Sequence, residues 1–226
     1  MPTVMLTGAN RGIGLEFVKS FAADGWRVHA CARNTEKARE LRGLGGEVVP
    51  HKLDVTNGLK VASLARELAG ETIDLLINNA GVRGSRAAFG DTDYDDWAQV
   101  LQVNTLAPLR MVERFADHLA KSERRLVVNI SSIMGSIGRT SSGGDYVYRS
   151  SKAALNMVTR TLANDLAPRG ITVISFHPGW VRTDMGGPSA SISESESVKG
   201  MRQKIEALTT ADSGRFFNYD GAPIEW

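Results

Sequence analysis

The sequence predicts an α/β fold, a doubly wound parallel sheet flanked by helices, in a single domain spanning residues 1–226. Three features lead there. Short apolar runs recur along the chain, separated by segments with helical apolar spacing. Two of those runs, Ile73–Ile77 and Leu126–Ile130, are almost continuously apolar, as strands covered on both faces must be. Several runs also end in small or polar residues, Gly8, Asn78 and Ser131 among them, and in a parallel sheet such ends share one edge that faces a ligand crevice.

Composition narrows the function. With 42% apolar and 23% charged residues the chain suits one sizeable core. Its 27 basic and 25 acidic residues leave a net charge of +2, which gives no reason to expect a nucleic acid or an anionic membrane as partner. Cys31 is the lone cysteine, set in an apolar run, so an internal disulfide is excluded and a buried small hydrophobe is expected. No apolar run reaches membrane-spanning length and the N-terminus enters a strand-like segment at once, so a cytoplasmic protein is expected.

Thr3–Thr7 is a short apolar run that enters Gly8-Ala-Asn10-Arg11-Gly12-Ile13-Gly14, after which Leu15, Phe17, Val18 and Phe21 follow at helical spacing as far as Gly25. This reads as strand, glycine turn and helix. Glycine lets backbone approach a pyrophosphate, whose charge is held by amides at the helix N-terminus. The spacing G-x-x-x-G-x-G fits the general dinucleotide fingerprint only loosely, and a plain tight turn is the alternative.

Trp26–Ala32 reads as the second strand, followed by Arg33-Asn34 and a polar helical stretch from Thr35 to Leu44. In a nucleotide-binding βαβ unit an acid at this strand end grips a ribose 2′-hydroxyl, whereas an arginine accommodates a 2′-phosphate. Ala32 and Arg33 stand in place of the acid, and Arg11 adds a second guanidinium suited to phosphate oxygens. Both point to NADP(H) over NAD(H), the alternative being two solvated arginines.

Glu47–Leu53 reads as the third strand, closed by Asp54-Val55-Thr56, and Leu59, Leu64 and Leu68 then form a helical stripe between Asn57 and Ala69. The central strand Ile73–Ile77 runs into Asn78-Asn79-Ala80-Gly81, whose small residues would either press against a nucleotide or simply turn the chain. A long helical pattern covers Thr92–Lys121, with a disturbance expected at Pro108, near Asn104. Leu126–Ile130 delivers Ser131 and Ser132 to the common edge, and a Gly- and Ser-rich linker, Gly135–Asp145, leads to the next helix.

That helix opens with Tyr146-Val-Tyr148-Arg-Ser150-Ser-Lys152. Tyr148 and Lys152 are four apart and share a helix face, which puts a phenol beside an ammonium. A close positive charge stabilises a phenolate, so the pair suits acid–base chemistry, the alternative being a solvated helical pair. Tyr146 has only Ser150 at that spacing and is expected to form part of the wall beside the site.

Ile171–Phe176 reads as the sixth strand, ending in His177-Pro178-Gly179-Trp180-Val181-Arg182-Thr183. Residues 184–200 are poor in large apolar groups and are expected to form a mobile loop over the substrate. A helix around Met201–Leu208 and a strand at Arg215–Tyr219 complete the alternation, with Ile224 and Trp226 folded back on the body. The four histidines are unclustered in sequence, so no metal site is expected.

In this order the motifs resemble those of the short-chain dehydrogenase/reductase family across essentially the whole chain. Thr7–Gly14 resembles its cofactor turn, Asn78–Gly81 its central strand motif, Asn104 its helix asparagine, Ser132 with Tyr148-x-x-x-Lys152 its catalytic residues, and Pro178-Gly179 its nicotinamide loop. Gly135, three residues after Ser132, favours Ser132 over Ser131 in that role. The details around Tyr146–Asn156 and Tyr219-Asp220-Gly221 are similar to the C-factor and carbonyl-reductase-like branch. The resemblance implies a Rossmann-type sheet of about seven parallel strands with NADP(H) across the strand ends. It implies that Tyr148 transfers a proton, Ser132 binds the carbonyl oxygen, Lys152 lowers the phenol's pKa and binds the nicotinamide ribose, and Asn104 positions a water. It also implies phosphate and ribose contacts from Gly8, Asn10, Arg11, Gly12 and Ile13, adenine contacts from Asp54 and Val55, ribose contacts from Asn79, Ala80 and Gly81, and carboxamide contacts from Val181 and Thr183. The substrate would be a small carbonyl or alcohol and the assembly a homodimer or homotetramer. A nucleotide-binding sensor or signalling protein and an NAD-dependent alcohol dehydrogenase are the alternatives. The interval from Ser132 to Tyr148 is longer than the family pattern, and residues 139–144 are expected to reshape the substrate mouth.

Overall fold

Strand residues alternate between two apolar layers, and that alternation builds the molecule. In a computed structural model describing residues 1–34 and 46–226, seven strands form one sheet. They are β1 (Thr3–Thr7), β2 (Arg27–Ala32), β3 (Glu47–Lys52), β4 (Leu75–Asn78), β5 (Leu126–Ile130), β6 (Thr172–His177) and β7 (Phe216–Asn218). Every neighbouring pair is parallel, in the order β3-β2-β1-β4-β5-β6-β7. Val4 and Leu6 of β1 face one layer with Phe17 and Phe21 of helix α1 (Gly12–Ala23) and Val198, Met201 and Ile205 of α6 (Glu194–Glu206). Met5 faces the other, with Leu64 of α2 (Gly58–Glu67), Met111 and Phe115 of α4 (Ala107–Ala120) and Leu162 of α5 (Tyr146–Asp165). The sheet is the doubly wound one expected, with its strand order reversing between β1 and β4.

Two boundaries differ from expectation. The long helical region is α3 (Tyr94–Leu101), a π turn at Gln102–Leu106 and then α4, so the disturbance precedes Pro108. Pro108 sits in the first turn of α4, where a missing N–H is tolerated. The expected loop over 184–200 is cut short because α6 begins at Glu194, its N-terminus capped by Ser193 Oγ, which accepts from Glu196 N at 3.1 Å. The remaining part of the segment is anchored where Val181 pairs with Ile192. Ile224 N donates to Phe216 O at 2.8 Å and the Trp226 ring stacks on Phe216 with centroids 5.4 Å apart, so the C-terminal segment does fold back. The helix expected at Thr35–Leu44 lies outside the described residues.

Candidate active site

The parallel strands end on one edge, and the loops after β1 and β4 meet there at the switch in strand order. Thr7 Oγ1 accepts from the backbone amides of Asn79 and Ala80, both at 3.0 Å, while Asn79 Nδ2 donates to the carbonyls of Thr7 at 3.0 Å and Gly8 at 3.2 Å. A Cβ on Gly14 would run into the Gly8 carbonyl and stand 2.6 Å from Asn79 Nδ2, so this close approach requires glycine. Gly12 has φ +52 and its Hα side faces Thr183, whose Cγ2 would lie 3.2 Å from an added Cβ. The glycine turn therefore adjoins both the Asn79–Ala80 segment and Thr183 at the strand-end edge. Behind the turn, Asn10 and Ile13 are half-buried.

The first turn of α1 has no side-chain cap and no acidic residue, so its amides present an unneutralised positive end. Arg11 beside it is paired with Asp184 at 2.8 Å, a contact so exposed that it contributes at most about 1 kcal/mol. Arg33 is exposed at the end of β2. The Asp54 carboxylate accepts from Thr56 Oγ1 at 2.7 Å and Thr56 N at 2.9 Å, and these bonds, with a smaller contribution from Arg33, hold its pKa below the usual value. Val55 is buried next to it. On the far side, Pro178 O accepts from Ser197 Oγ, and Gly179 at φ +84 leaves no room for a Cβ beside Ile192 and Tyr219.

Ser132, Tyr148 and Lys152 are all buried at this edge. Ser132 opens a short 3₁₀ turn, Ile133–Gly135, in which its Oγ accepts from Met134 N at 3.2 Å. Gly135 lies flush on the helix, since a Cβ there would come within 2.6 Å of the Lys152 carbonyl carbon. Lys152 Nζ donates to the Ile130 carbonyl at 2.8 Å and sits 5.8 Å from the Tyr148 ring centroid. Burial lowers the Lys152 pKa to about 8. Burial also raises the Tyr148 pKa, against the opposing hydrogen bond from Ser132 and the charge of Arg83. Lys152 Nζ places one of its hydrogen bonds on the Ile130 carbonyl, and the burial of Tyr148 outweighs the groups that lower its pKa. Ser131 turns the other way, its Oγ donating to Asn156 Oδ1 at 2.6 Å.

Asn104 is fully buried in the π turn, and its side chain is committed to protein partners. Oδ1 accepts from Val82 N at 2.9 Å, and Nδ2 donates to Val82 O at 2.8 Å and Ser151 Oγ at 3.0 Å. A water held here would therefore have to use the backbone, and Pro108, four residues on, brings no N–H to the Asn104 carbonyl. Asn104 also fixes the path from Gly81 to Val82 past Lys152, whose Nζ would lie 3.6 Å from a Cβ on Gly81.

Some placements were not legible in sequence. Arg83 Cζ stands 5.6 Å over the Tyr148 ring and its Nη2 contacts both oxygens of Asp145 at 3.3 and 3.4 Å. The two residues come from loops 62 positions apart, and only a basic residue following Asn78–Gly81 hinted at it. Trp180, 55% exposed, and the exposed Met185 face outward, and Tyr146, at the start of α5, is itself exposed. The inserted residues 139–143 are exposed as well, tied back by Gly138 N donating to Trp226 O at 3.2 Å and by Arg149 Nη2 donating to Ser142 Oγ at 3.0 Å.

The family model described as short chain dehydrogenase matches residues 2–193. A protein named C-signal from Myxococcus xanthus is 46% identical over 154 residues, covering 68% of this chain and 93% of that protein. Carbonyl reductase Sniffer of D. melanogaster superposes with a TM-score of 0.92 at 33% identity, over 100% of both chains. An NADPH-bound carbonyl reductase from chicken fatty liver gives a TM-score of 0.92 at 35% identity, over 100% of this chain and 99% of that one. The fold, the crevice at the strand-order switch and these matches agree, and the chain belongs to the short-chain dehydrogenase family of oxidoreductases.

Proposed function

We propose that the chain reduces a small ketone or aldehyde with NADPH, or oxidises the corresponding secondary alcohol in reverse, with Tyr148 as general acid or base. The observation that carries this reading is that Ser132, Tyr148 and Lys152 are buried at the strand-end edge, with Lys152 Nζ 3.6 Å from where a Cβ on Gly81 would lie, in the segment that Asn79 and Ala80 bond to the start of the glycine turn ahead of the uncapped α1. The α1 N-terminus, with Gly8, Asn10, Gly12 and Ile13 around it, suits a pyrophosphate, and the 2′-phosphate would displace Asp184 from Arg11. Arg11 and Arg33 would take the 2′-phosphate, Asp54 and Val55 the adenine, Asn79, Ala80 and Gly81 the neighbouring ribose, and Pro178, Gly179, Val181 and Thr183 the carboxamide. The nicotinamide, when bound, supplies or takes the hydride.

The protein's part is the proton. Ser132 Oγ donates to the carbonyl oxygen of the substrate, and Tyr148 Oη gives that oxygen a proton in reduction and receives it in oxidation. Lys152 binds the ribose beside the phenol, and the Asn104 carbonyl holds a water that returns the proton to Tyr148. Residues 184–193 and the inserted residues 139–144 border the mouth of the site. A homodimer or homotetramer joined through these helices, in the cytoplasm, would cover the exposed Leu106 of the π turn and Met157 of α5.

NADP preference is tested by comparing the dissociation constants of NADPH and NADH for the parent protein and for Arg33→Ala. The parent should favour NADPH, and the variant should lose about ten-fold of that preference, the worth of one charge-assisted phosphate contact. Equal affinities in the parent contradict the assignment. The 46% identity to C-signal supports a second reading, a nucleotide-binding signalling protein. Tight NADPH binding with no turnover of any of a panel of carbonyls would favour it.

A further inference from the structure

We propose that Arg83, held in place by Asp145, is an electrostatic positioning residue that sets how readily Tyr148 parts with its proton. The inference rests on Tyr148 being the proton-transfer group. Its geometry begins with backbone: Asn104 clamps Val82 through both its N–H and its C=O, so the adjacent Arg83 leaves the sheet edge at a fixed point. The next residue, Gly84, has φ +72 and turns the chain against Val100 and Val147. From there the guanidinium reaches over the face of the Tyr148 ring, 5.6 Å from its centroid.

Asp145 has given up a local advantage to hold it. An aspartate at a helix N-cap ordinarily accepts from the first-turn amides, worth about 1 kcal/mol. Asp145 stands at the N-cap of α5, yet its side chain makes no cap bond and its φ is +52, a left-handed conformation that aspartate adopts more readily than most residues. Its carboxylate contacts Arg83 instead, with both side chains only 25% exposed.

Among the described residues, the charged groups that face the phenol are few. Arg83 reaches it from the loop after β4, Asp145 from the residue preceding α5 and Lys152 from its own helix, while the loop after β5 contributes the uncharged Ser132. Lys152 is committed to the Ile130 carbonyl. Behind the larger effects of burial and of the Ser132 hydrogen bond, Arg83 stabilises the phenolate and Asp145 opposes it. Arg83 and Asp145 thus act on Tyr148 with opposite signs, a relation that a purely structural ion pair would not produce in kinetics.

The test is the pH dependence of kcat/KM for carbonyl reduction by the NADPH-loaded enzyme. Reduction needs the protonated phenol, so activity falls on an alkaline limb as pH rises through its pKa. Arg83→Met should move that limb to higher pH by about 0.5 to 1 unit, and Asp145→Asn, whose carboxamide oxygen still accepts from Arg83 and so keeps it in place while removing the opposing charge, should move it to lower pH by a similar amount. Arg83→Lys should leave it close to the parent's position. Asp145→Asn and Arg83→Lys keep the test decisive if Arg83→Met folds poorly. An active parent whose limb stays put in the variants, or moves the same way in Arg83→Met and Asp145→Asn, overturns the inference alone. A parent with no carbonyl turnover removes the reading of Tyr148, and this inference with it.

Discussion

Ser131 donates from its hydroxyl to the carboxamide oxygen of Asn156 at 2.6 Å, and the nitrogen of that carboxamide donates to the Gly135 carbonyl at 3.2 Å. Ser132 lies between the two anchored residues. The Asn156 side chain, one turn beyond Lys152 on α5, therefore staples both sides of the Ser132 turn to the helix that carries Tyr148.

Asn156→Ala should loosen that turn. Leaving the Gly135 carbonyl without its carboxamide donor, and the Ser131 hydroxyl with only its longer 3.4 Å bond to the Lys152 carbonyl, costs about 1 to 3 kcal/mol, read as a lower midpoint in urea unfolding. Turnover should fall by more than cofactor binding does, because most of the residues proposed to hold the nucleotide lie on other loops. Equal loss of both would show that Asn156 supports the whole edge rather than the turn.

Gly14→Ala should destabilise the glycine turn. The added methyl would collide with the Gly8 carbonyl, which is backbone and cannot swing aside. An overpacking cost of about 1 to 3 kcal/mol, or failure to fold, is expected from thermal unfolding. A variant as stable as the parent would mean that the loops after β1 and β4 are not so closely joined.

Much of this was legible in the sequence, for a physical reason. A strand buried on both faces must be apolar throughout, which made β4 and β5 readable; the glycines of the turn were read for approach to a pyrophosphate, while the close contact of Gly8 and Gly14 with the chain's own backbone and with Asn79 appears only in the fold. The first half of α6 was missed because only Ser197, Val198, Met201 and Ile205 face inward and the rest is polar. The π turn was missed because it breaks the helical period without any breaker residue of its own. Arg83 and Asp145, like the histidine pair below, are brought together by tertiary structure across long stretches of chain, and no local pattern records such meetings.

His29 and His51, unclustered in sequence, become partners through the β2–β3 pairing. His29 Nδ1 lies 2.9 Å from His51 Nε2, and His29 Nε2 lies 2.9 Å from Glu71 Oε2. Burial lowers both pKa values, overriding the opposing charge of Glu71 and bringing His51 to about 4. Above pH 6.5 both folded and unfolded histidines are neutral and stability is unaffected. As pH falls from 6.5 toward 4, the unfolded chain takes up a proton that folded His51 refuses, so stability should fall by roughly 1 kcal/mol per pH unit through His51, with His29 acting in the same direction. His51→Gln should flatten the slope of thermal midpoint against pH in this window. An unchanged slope would assign the acid sensitivity elsewhere, with His177, also lowered to about 4 by burial, the next residue to replace.

Cys31 is buried, and burial pushes its thiol up to about 12. The native protein should release no chromophore from a disulfide reagent at pH 8, and one equivalent in guanidinium. Rapid reaction of the native protein would show that β2 opens readily.

The central claim is that Tyr148 carries the proton. The most direct measurement is NADPH consumption by the parent and by Tyr148→Phe against a carbonyl that the parent reduces, with NADPH affinity measured in parallel. The variant should lose about 10²- to 10⁴-fold in turnover or more while binding NADPH nearly as tightly. Turnover equal to the parent's would contradict the account.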